Sequence, residues 1–125
     1  MSMRVLVVDD SALARRTLRQ HLEELGHTVD EATNGEQALE RFALNPPDLM
    51  ILDMVMSGMY GLDVLTHVRE LNPTARVLVV TADIQNSTAE QARNAGASGL
   101  LNKPVSRERL ARAVDEVARG GQTWN

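Results

Sequence analysis

The sequence predicts an α/β fold: a doubly wound, five-stranded parallel sheet flanked by five helices. Three observations predict it. Short runs of purely apolar residues recur along the chain, as strands covered on both faces require. Between them lie segments with apolar residues at helical spacing, bounded by capping residues and breakers. The two kinds alternate strictly, strand then helix, five times, and short connections then call for right-handed crossovers with helices on both faces of one sheet. A five-stranded sheet of this kind most often takes the order 2-1-3-4-5, with other orders left open by the sequence alone.

The first strand is Val5-Leu6-Val7-Val8. A helix then begins near Ser11, a fitting N-cap, carries Ala14, Leu18, Leu22 and Leu25 on one face, and stops at Gly26. The weaker apolar run around Thr28-Val29 has polar flanks and suits an edge strand. Asn34 with Gln37 resembles a capping box for a short helix bearing Ala38, Leu39 and Phe42, closed off by Pro46-Pro47. Leu49-Met50-Ile51-Leu52 gives the third strand; Leu62, Leu65, Val68 and Leu71 give the third helix, ended by Asn72-Pro73. Val77-Leu78-Val79-Val80 is the fourth strand. The fourth helix, about Ser87 to Ala95, is alanine-rich and weakly amphipathic. Leu100-Leu101 marks a short fifth strand, and Leu110, Ala113, Val114 and Val117, capped by Ser106, the fifth helix. Residues 1–125 read as a single domain with a core of about 3–118, and 120–125 as a loose tail or the stub of a linker.

Composition narrows the function. The chain has 13 Lys+Arg against 17 Asp+Glu, a net charge of -4, and twelve of the thirteen bases are arginine, Lys103 being the single lysine. An acidic chain with only Phe42, Tyr60 and Trp124 as aromatics has neither the basic face nor the stacking platforms that nucleic-acid binding uses. With no cysteine there is no disulfide framework or thiolate chemistry, which fits a reducing compartment. Only four apolar residues stand between Arg4 and Asp9, far short of a signal-peptide core or a membrane span. The expectation is a cytoplasmic protein that binds neither nucleic acid nor membrane.

In open parallel sheets ligands sit beyond the carboxyl ends of the strands, so the residues just after each apolar run are the place to look for chemistry. Strand one runs into Asp9-Asp10, strand three into Asp53, strand four into Thr81, and strand five into Asn102-Lys103-Pro104. Three carboxylates in one pocket repel by roughly 4 kcal/mol per close pair at an effective dielectric near 20. Something positive must offset this. Oxygen donors without histidine or cysteine suit Mg²⁺, which binds through one or two carboxylates plus phosphate oxygens. Mg²⁺, a lysine, a hydroxyl and a spare carboxylate are what phosphoryl transfer to an aspartate requires. Taken singly, each feature has a plainer reading: Asp9-Asp10 as a helix start favoured by the macrodipole, Asp53 as a turn former, Thr81 as a strand end, Lys103 as a solvated loop residue. Their coincidence at four strand ends is the signal.

The runs Val-Leu-Val-Val-Asp-Asp-Ser at 5 to 11, Leu-Asp-Met-Val-Met-Ser-Gly-Met-Tyr-Gly-Leu-Asp at 52 to 63, Val-Val-Thr-Ala at 79 to 82 and Gly-Ala-Ser-Gly-Leu-Leu-Asn-Lys-Pro at 96 to 104 resemble the response-regulator receiver domain, the phosphoacceptor module of two-component signalling, over residues 3 to 118. The resemblance implies a flavodoxin-like, CheY-like fold and a signalling domain that catalyses only its own phosphorylation and dephosphorylation. By it, Asp53 accepts the phosphoryl group, Asp10, Asp53 and the backbone carbonyl of Val55 bind Mg²⁺ (Mn²⁺ able to substitute), and Asp9 acts through water. Lys103 would pair with a phosphoryl oxygen, Thr81 would donate its hydroxyl to another, and the Ala82 N–H would complete the cradle. The output surface would include Gln91, Leu100, Arg107 and Arg112.

Two positions depart from the family pattern. Leu100 stands where an aromatic linked to the threonine is common, which implies weaker or differently built coupling from Thr81 to the output face. Ser57 replaces a frequent proline, which implies a looser loop after Asp53. Val55 and Asp83 stand where the family tunes phosphoryl lifetime. Met50, Met54, Met56 and Met59 read as adaptable packing, and His21, His27 and His67 are scattered and assigned no role.

The implied partners are a sensor histidine kinase or histidine phosphotransfer protein and a downstream protein target, with the chain a monomer or a phosphorylation-dependent dimer. A stand-alone receiver is the leading reading; a phosphorelay intermediate, or a receiver fragment of a larger regulator, is the alternative. A haloacid-dehalogenase-type phosphatase would need Asp-x-Asp after the first strand, which Asp9-Asp10-Ser11 lacks, and a dinucleotide enzyme would need a glycine-rich turn there.

Overall fold

The computed structural model describes residues 2–124; Met1 and Asn125, the outermost residues of the expected domain and tail, lie outside the described residues. Five strands, β1 (Arg4–Val8), β2 (Thr28–Ala32), β3 (Leu49–Leu52), β4 (Val77–Thr81) and β5 (Gly99–Asn102), alternate with α1 (Ala12–Glu24), α2 (Gly35–Leu44), α3 (Gly61–Leu71), α4 (Asn86–Asn94) and α5 (Arg107–Ala118). A sixth, two-residue strand, β6 (Thr123–Trp124), follows α5. The sheet order is β2-β1-β3-β4-β5-β6 with every pair parallel, so the expected order holds and gains one strand at the β5 edge.

The period-two alternation of strand side chains divides the apolar runs between two cores. Leu6, Val8, Met50, Leu52, Val79 and Leu100 face α2, α3 and α4, packing with Phe42, Val64, Val68 and Ala92. Val5, Val7, Ile51, Leu78, Val80 and Leu101 face α1 and α5, packing with Leu22, Leu110 and Val114. At about 1.5–3 kcal/mol per fully buried aliphatic side chain, these two layers supply most of the drive to fold. This is why the runs carry no polar residue on either face.

Helix ends follow the local chemistry. Ser11, Asn34 and Ser106 each accept the N–H three residues on, from Ala14, Gln37 and Arg109. The expected capping box is shifted by one: Gln37 Oε1 accepts the N–H of Thr33 at 2.8 Å, not that of Asn34. Gly26, at φ +93°, closes α1 by returning its N–H to Glu23 while His27 N–H reaches Leu22.

The expected loose tail is tied down. Gly120, at φ +87°, ends α5 and turns the chain back so that Thr123 and Trp124 pair with Gly99 and Leu100. Gly99 permits this approach, because a Cβ there would stand 2.0 Å from the Thr123 carbonyl oxygen. A glycine beside a strand signal does not reveal its partner in the sequence.

Candidate functional site

The carboxyl ends of β1, β3, β4 and β5 bring the expected residues to one rim. Asp9 and Asp53, immediately after β1 and β3, are buried at 1% and 6% exposure, while Asp10 is exposed. One carboxylate oxygen from each of the three lies within 4.8 Å of the others. Lys103, immediately after β5, is half-buried, and its Nζ donates to Asp9 Oδ2 at 2.6 Å and to Asp53 Oδ2 at 3.0 Å. It holds its place through Lys103 N–H to the Thr81 carbonyl at 2.8 Å, continuing the β4–β5 ladder.

Electrostatics explain the pairing. Carboxylates 4.8 Å apart repel by about 3–4 kcal/mol per pair at an effective dielectric near 20. The Lys103 ammonium offsets that for the two buried ones. Burial alone would lower its pKa, but the hydrogen bonds from Nζ to Asp9 and Asp53, with their charges, outweigh burial and hold it above the ordinary lysine value. It is charged throughout the neutral range.

Backbone donors complete the carboxylates' shells. Asp9 Oδ1 accepts the Ser11 N–H at 2.9 Å, Asp53 Oδ1 the Val55 N–H at 3.1 Å, and Asp10 Oδ2 the Ser57 N–H at 3.0 Å. The Ser57 bond changes the expectation of a looser loop: a proline at 57 has no N–H, whereas serine ties the β3–α3 loop to Asp10 across the site. Arg15 Nη1 also donates to the Asp9 carbonyl at 2.7 Å.

Thr81 is fully buried, and its Oγ1 accepts the Asp83 N–H at 3.3 Å. A hydroxyl accepting one bond retains a proton to donate. Ala82 is exposed and, with Lys103 and Pro104, borders an open cleft of about 520 Å³ between α1 and the β5–α5 loop. Asn102 Nδ2 donates to the Asp83 carbonyl at 2.9 Å. Asp83 in turn accepts the Gln85 N–H at 2.9 Å and the Thr88 hydroxyl at 2.6 Å, so the end of β5, the β4–α4 loop and the first turn of α4 are joined. The hydrogen bond from the Thr88 hydroxyl, and after it that from the Gln85 N–H, holds the Asp83 carboxyl below the usual carboxylate range.

The surface residues divide. Gln91 and Arg112 are exposed. Arg107 is exposed but pairs with Glu24 of α1 at 3.3 Å, away from α4. Leu100, expected on the output surface, is instead buried at 4% exposure among Val77, Val79 and Ala92, because β6 covers the edge and sets Trp124 beside it. Met50, Met54 and Met56 are buried and Met59 packs against the same core, as packing residues should.

Gly61 escaped the sequence reading although it stands in one of the quoted runs. A Cβ there would lie 2.3 Å from the Asp53 carbonyl oxygen, so only glycine lets α3 start against the Asp53 loop. Gly35 does the same for α2, where a Cβ would meet Met59 Cβ at 2.7 Å. The available signal was a glycine opening each helix where a better helix former would serve.

What this rim can do follows from its donors. Three carboxylates give an all-oxygen set with no histidine or thiolate, which fits a hard divalent cation such as Mg²⁺ or Mn²⁺. No described helix is long and apolar enough to cross a membrane.

The chain is similar to known proteins over most of its length. A family model for the response regulator receiver domain matches residues 5–115. The chemotaxis protein CheY of Thermotoga maritima is 33% identical over 120 residues, covering 95% of this chain and all of that protein. The response regulator MprA of Mycobacterium ulcerans is 39% identical over 119 residues, 95% of this chain but 51% of its own length. Among solved structures, the CheX–CheY–BeF3–Mg²⁺ complex from Borrelia burgdorferi aligns with a TM-score of 0.86 at 28% identity, covering 91% of this chain and 87% of that one. The chain therefore belongs to the response regulator receiver domain family, the CheY-like signalling module of two-component systems, a switch set between kinases and downstream targets more than a turnover enzyme.

Proposed function

We propose that this chain accepts a phosphoryl group on Asp53 from a histidine kinase or histidine phosphotransfer protein and signals through the resulting change in its protein-binding face. The observation that carries the reading is the Lys103 ammonium held between the buried Asp9 and Asp53 carboxylates, with an Asp10 oxygen within 4.8 Å. In the transfer, an Asp53 carboxylate oxygen attacks phosphorus in line. The new O–P bond forms as the P–N bond to the donor imidazole breaks, and the departing nitrogen takes a proton from solvent. Charge stays on the phosphoryl oxygens, so what is needed is positive charge and hydrogen-bond donors already in position.

Lys103 supplies one such charge, and its reach to Asp53 puts it beside the oxygens that arrive. Thr81 and the Ala82 N–H supply neutral donors at the end of β4. Asp10, Asp53 and the Val55 carbonyl would hold Mg²⁺, which when bound neutralises charge on the phosphoryl oxygens. Asp9 acts indirectly, through water, its Oδ2 holding the Lys103 Nζ at 2.6 Å. The matched region spans the whole of the Thermotoga protein and about half of MprA, so receivers of this kind occur both alone and within longer chains.

Beryllofluoride, which mimics a phosphoryl group on a carboxylate, tests the site. A bound ¹⁹F signal is expected with Mg²⁺, lost on chelation and absent in Asp53→Asn. Backbone resonances of residues 84–112 are expected to shift with it. Binding that survives Asp53→Asn would remove Asp53 from its role, and unshifted resonances over 84–112 would end the proposed switch.

A further inference from the structure

Arg15 of α1 ties the acidic rim to β2 through the backbone of Asp9. Its side chain is only 15% exposed, with Nε donating to Glu31 Oε1 at 3.0 Å and Nη1 to the Asp9 carbonyl at 2.7 Å. Glu31 lies two residues after Val29, which is buried in the core on the α1 side of the sheet, so the pleat turns Glu31 toward the same helix. Arg19, one turn further along α1, takes the other Glu31 oxygen through its Nε at 2.6 Å. The hydrogen bond from Arg19, and with it that from Arg15, holds the Glu31 carboxyl below its usual range against the opposing effect of burial, so the glutamate stays charged.

The Asp9–Asp10 turn is thereby held from two directions. The Asp9 N–H donates to the Ala32 carbonyl of β2 at 3.2 Å, and the Asp9 carbonyl takes Arg15, so the planar peptide that leads into Asp10 is fixed. Asp10 itself is exposed, and its carboxylate reaches across to the Ser57 N–H at 3.0 Å only from that setting of the backbone. A guanidinium so near the rim would by charge alone oppose a divalent cation. Glu31 neutralises it, and the planar fork lets one end grip that counter-ion while the other orients the carbonyl. We propose that Arg15 is a positioning residue for the divalent cation: by fixing the Asp9 carbonyl against Glu31 it holds the Asp10 carboxylate where the cation binds. The inference rests on the proposed function for the cation's place at Asp10, and adds the residue that orients that ligand.

The test titrates the full ¹⁵N-labelled chain with Mn²⁺ and follows paramagnetic broadening of the amides of residues 9–11 and 53–55. Arg15→Met, which keeps the aliphatic stem and removes the donors, should bind Mn²⁺ about tenfold more weakly than wild type, as loss of a partner that orients a metal ligand does. The sign separates positioning from charge, because removing a cation beside the rim would by Coulomb attraction alone tighten binding. Arg19→Met takes the same charge from the same glutamate one turn away from Asp9, and should keep wild-type affinity. Without metal, exchange of the Ser57 amide should rise in Arg15→Met and stay at the wild-type rate in Arg19→Met, since only the first releases Asp10. The proposal is overturned if Arg15→Met binds Mn²⁺ as tightly as wild type or more tightly, if Arg19→Met weakens binding equally, or if Ser57 exchange in Arg15→Met is unchanged. A wild type whose amides at 9–11 and 53–55 do not broaden overturns it together with the cation's place at the rim. Loading of Asp53 by acetyl phosphate is read separately by mass: if Asp53 does not load but the Mn²⁺ and exchange results are as expected, the positioning role stands and the receiver reading falls.

Discussion

Lys103 sits 2.6 Å from Asp9 and 3.0 Å from Asp53, a span that a compact ammonium bridges with three rotatable donors. An arginine would keep the charge but spread it over a planar fork that cannot occupy the same point between two buried oxygens. Lys103→Arg is therefore expected to load with phosphoryl yet lose most of the beryllofluoride-induced shift over residues 84–112; a wild-type shift in that variant would count against the lysine's role. His27 offers a second residue-scale prediction, remote from the site. Burial lowers its pKa below the ordinary 6.5, and its Nδ1 accepts the Met3 N–H at 3.0 Å, which requires the neutral ring. In the unfolded chain His27 takes a proton near its ordinary value, before the folded protein does. Stability from this contact is thus complete above about pH 6.5 and is lost as pH falls toward the lowered folded value. Urea midpoints measured between about pH 7 and pH 5 should fall more steeply for wild type than for His27→Gln. The sequence made Asp53, Asp9, Asp10, Thr81 and Lys103 legible because each follows an apolar run at a strand end. The Ser57 N–H on Asp10 and the role of Gly61 were not legible, since both are backbone encounters between segments distant along the chain.

Among the elements, α4 depends least on its own sequence. It has no side-chain cap at Gln85, and only Thr88 and Ala92 are buried along its nine residues. Its first turn is fixed instead from outside, by the Thr88 hydroxyl on Asp83 and by Asn102 on the Asp83 carbonyl. Removing the hydroxyl in a shape-conserving way should cost about 1 kcal/mol locally. Thr88→Val is accordingly expected to raise amide exchange over residues 86–94 by about fivefold and leave α1 unchanged, since local openings follow local contacts. Equal exchange in the variant would show that the Asp83 link does not hold α4. The helix itself was visible in the sequence as an alanine-rich, weakly amphipathic segment. The link that holds it was not, because Asp83 and Thr88 read as an ordinary loop aspartate and helix threonine until the β4–α4 turn brings them together. β6 was missed for a related reason: two residues carry no periodicity, and only Gly99, across the β5 edge, explains why the tail can pack there.

For the whole molecule, the architecture follows from apolar runs that must be covered on both faces, and the two cores on either side of the sheet are that requirement fulfilled. Parallel strands put all their carboxyl ends on one side, so four separate segments deliver three carboxylates, a hydroxyl and the one lysine to a single rim. No local feature has that power; the topology does. The central claim is that this rim exists to take a phosphoryl group on Asp53. The most direct measurement is the intact mass of the chain after incubation with acetyl phosphate and Mg²⁺. One added phosphoryl group is expected on the wild type and none on Asp53→Asn or after chelation of the metal. A wild type that gains no mass, or an Asp53→Asn chain that gains the same mass, would contradict the account.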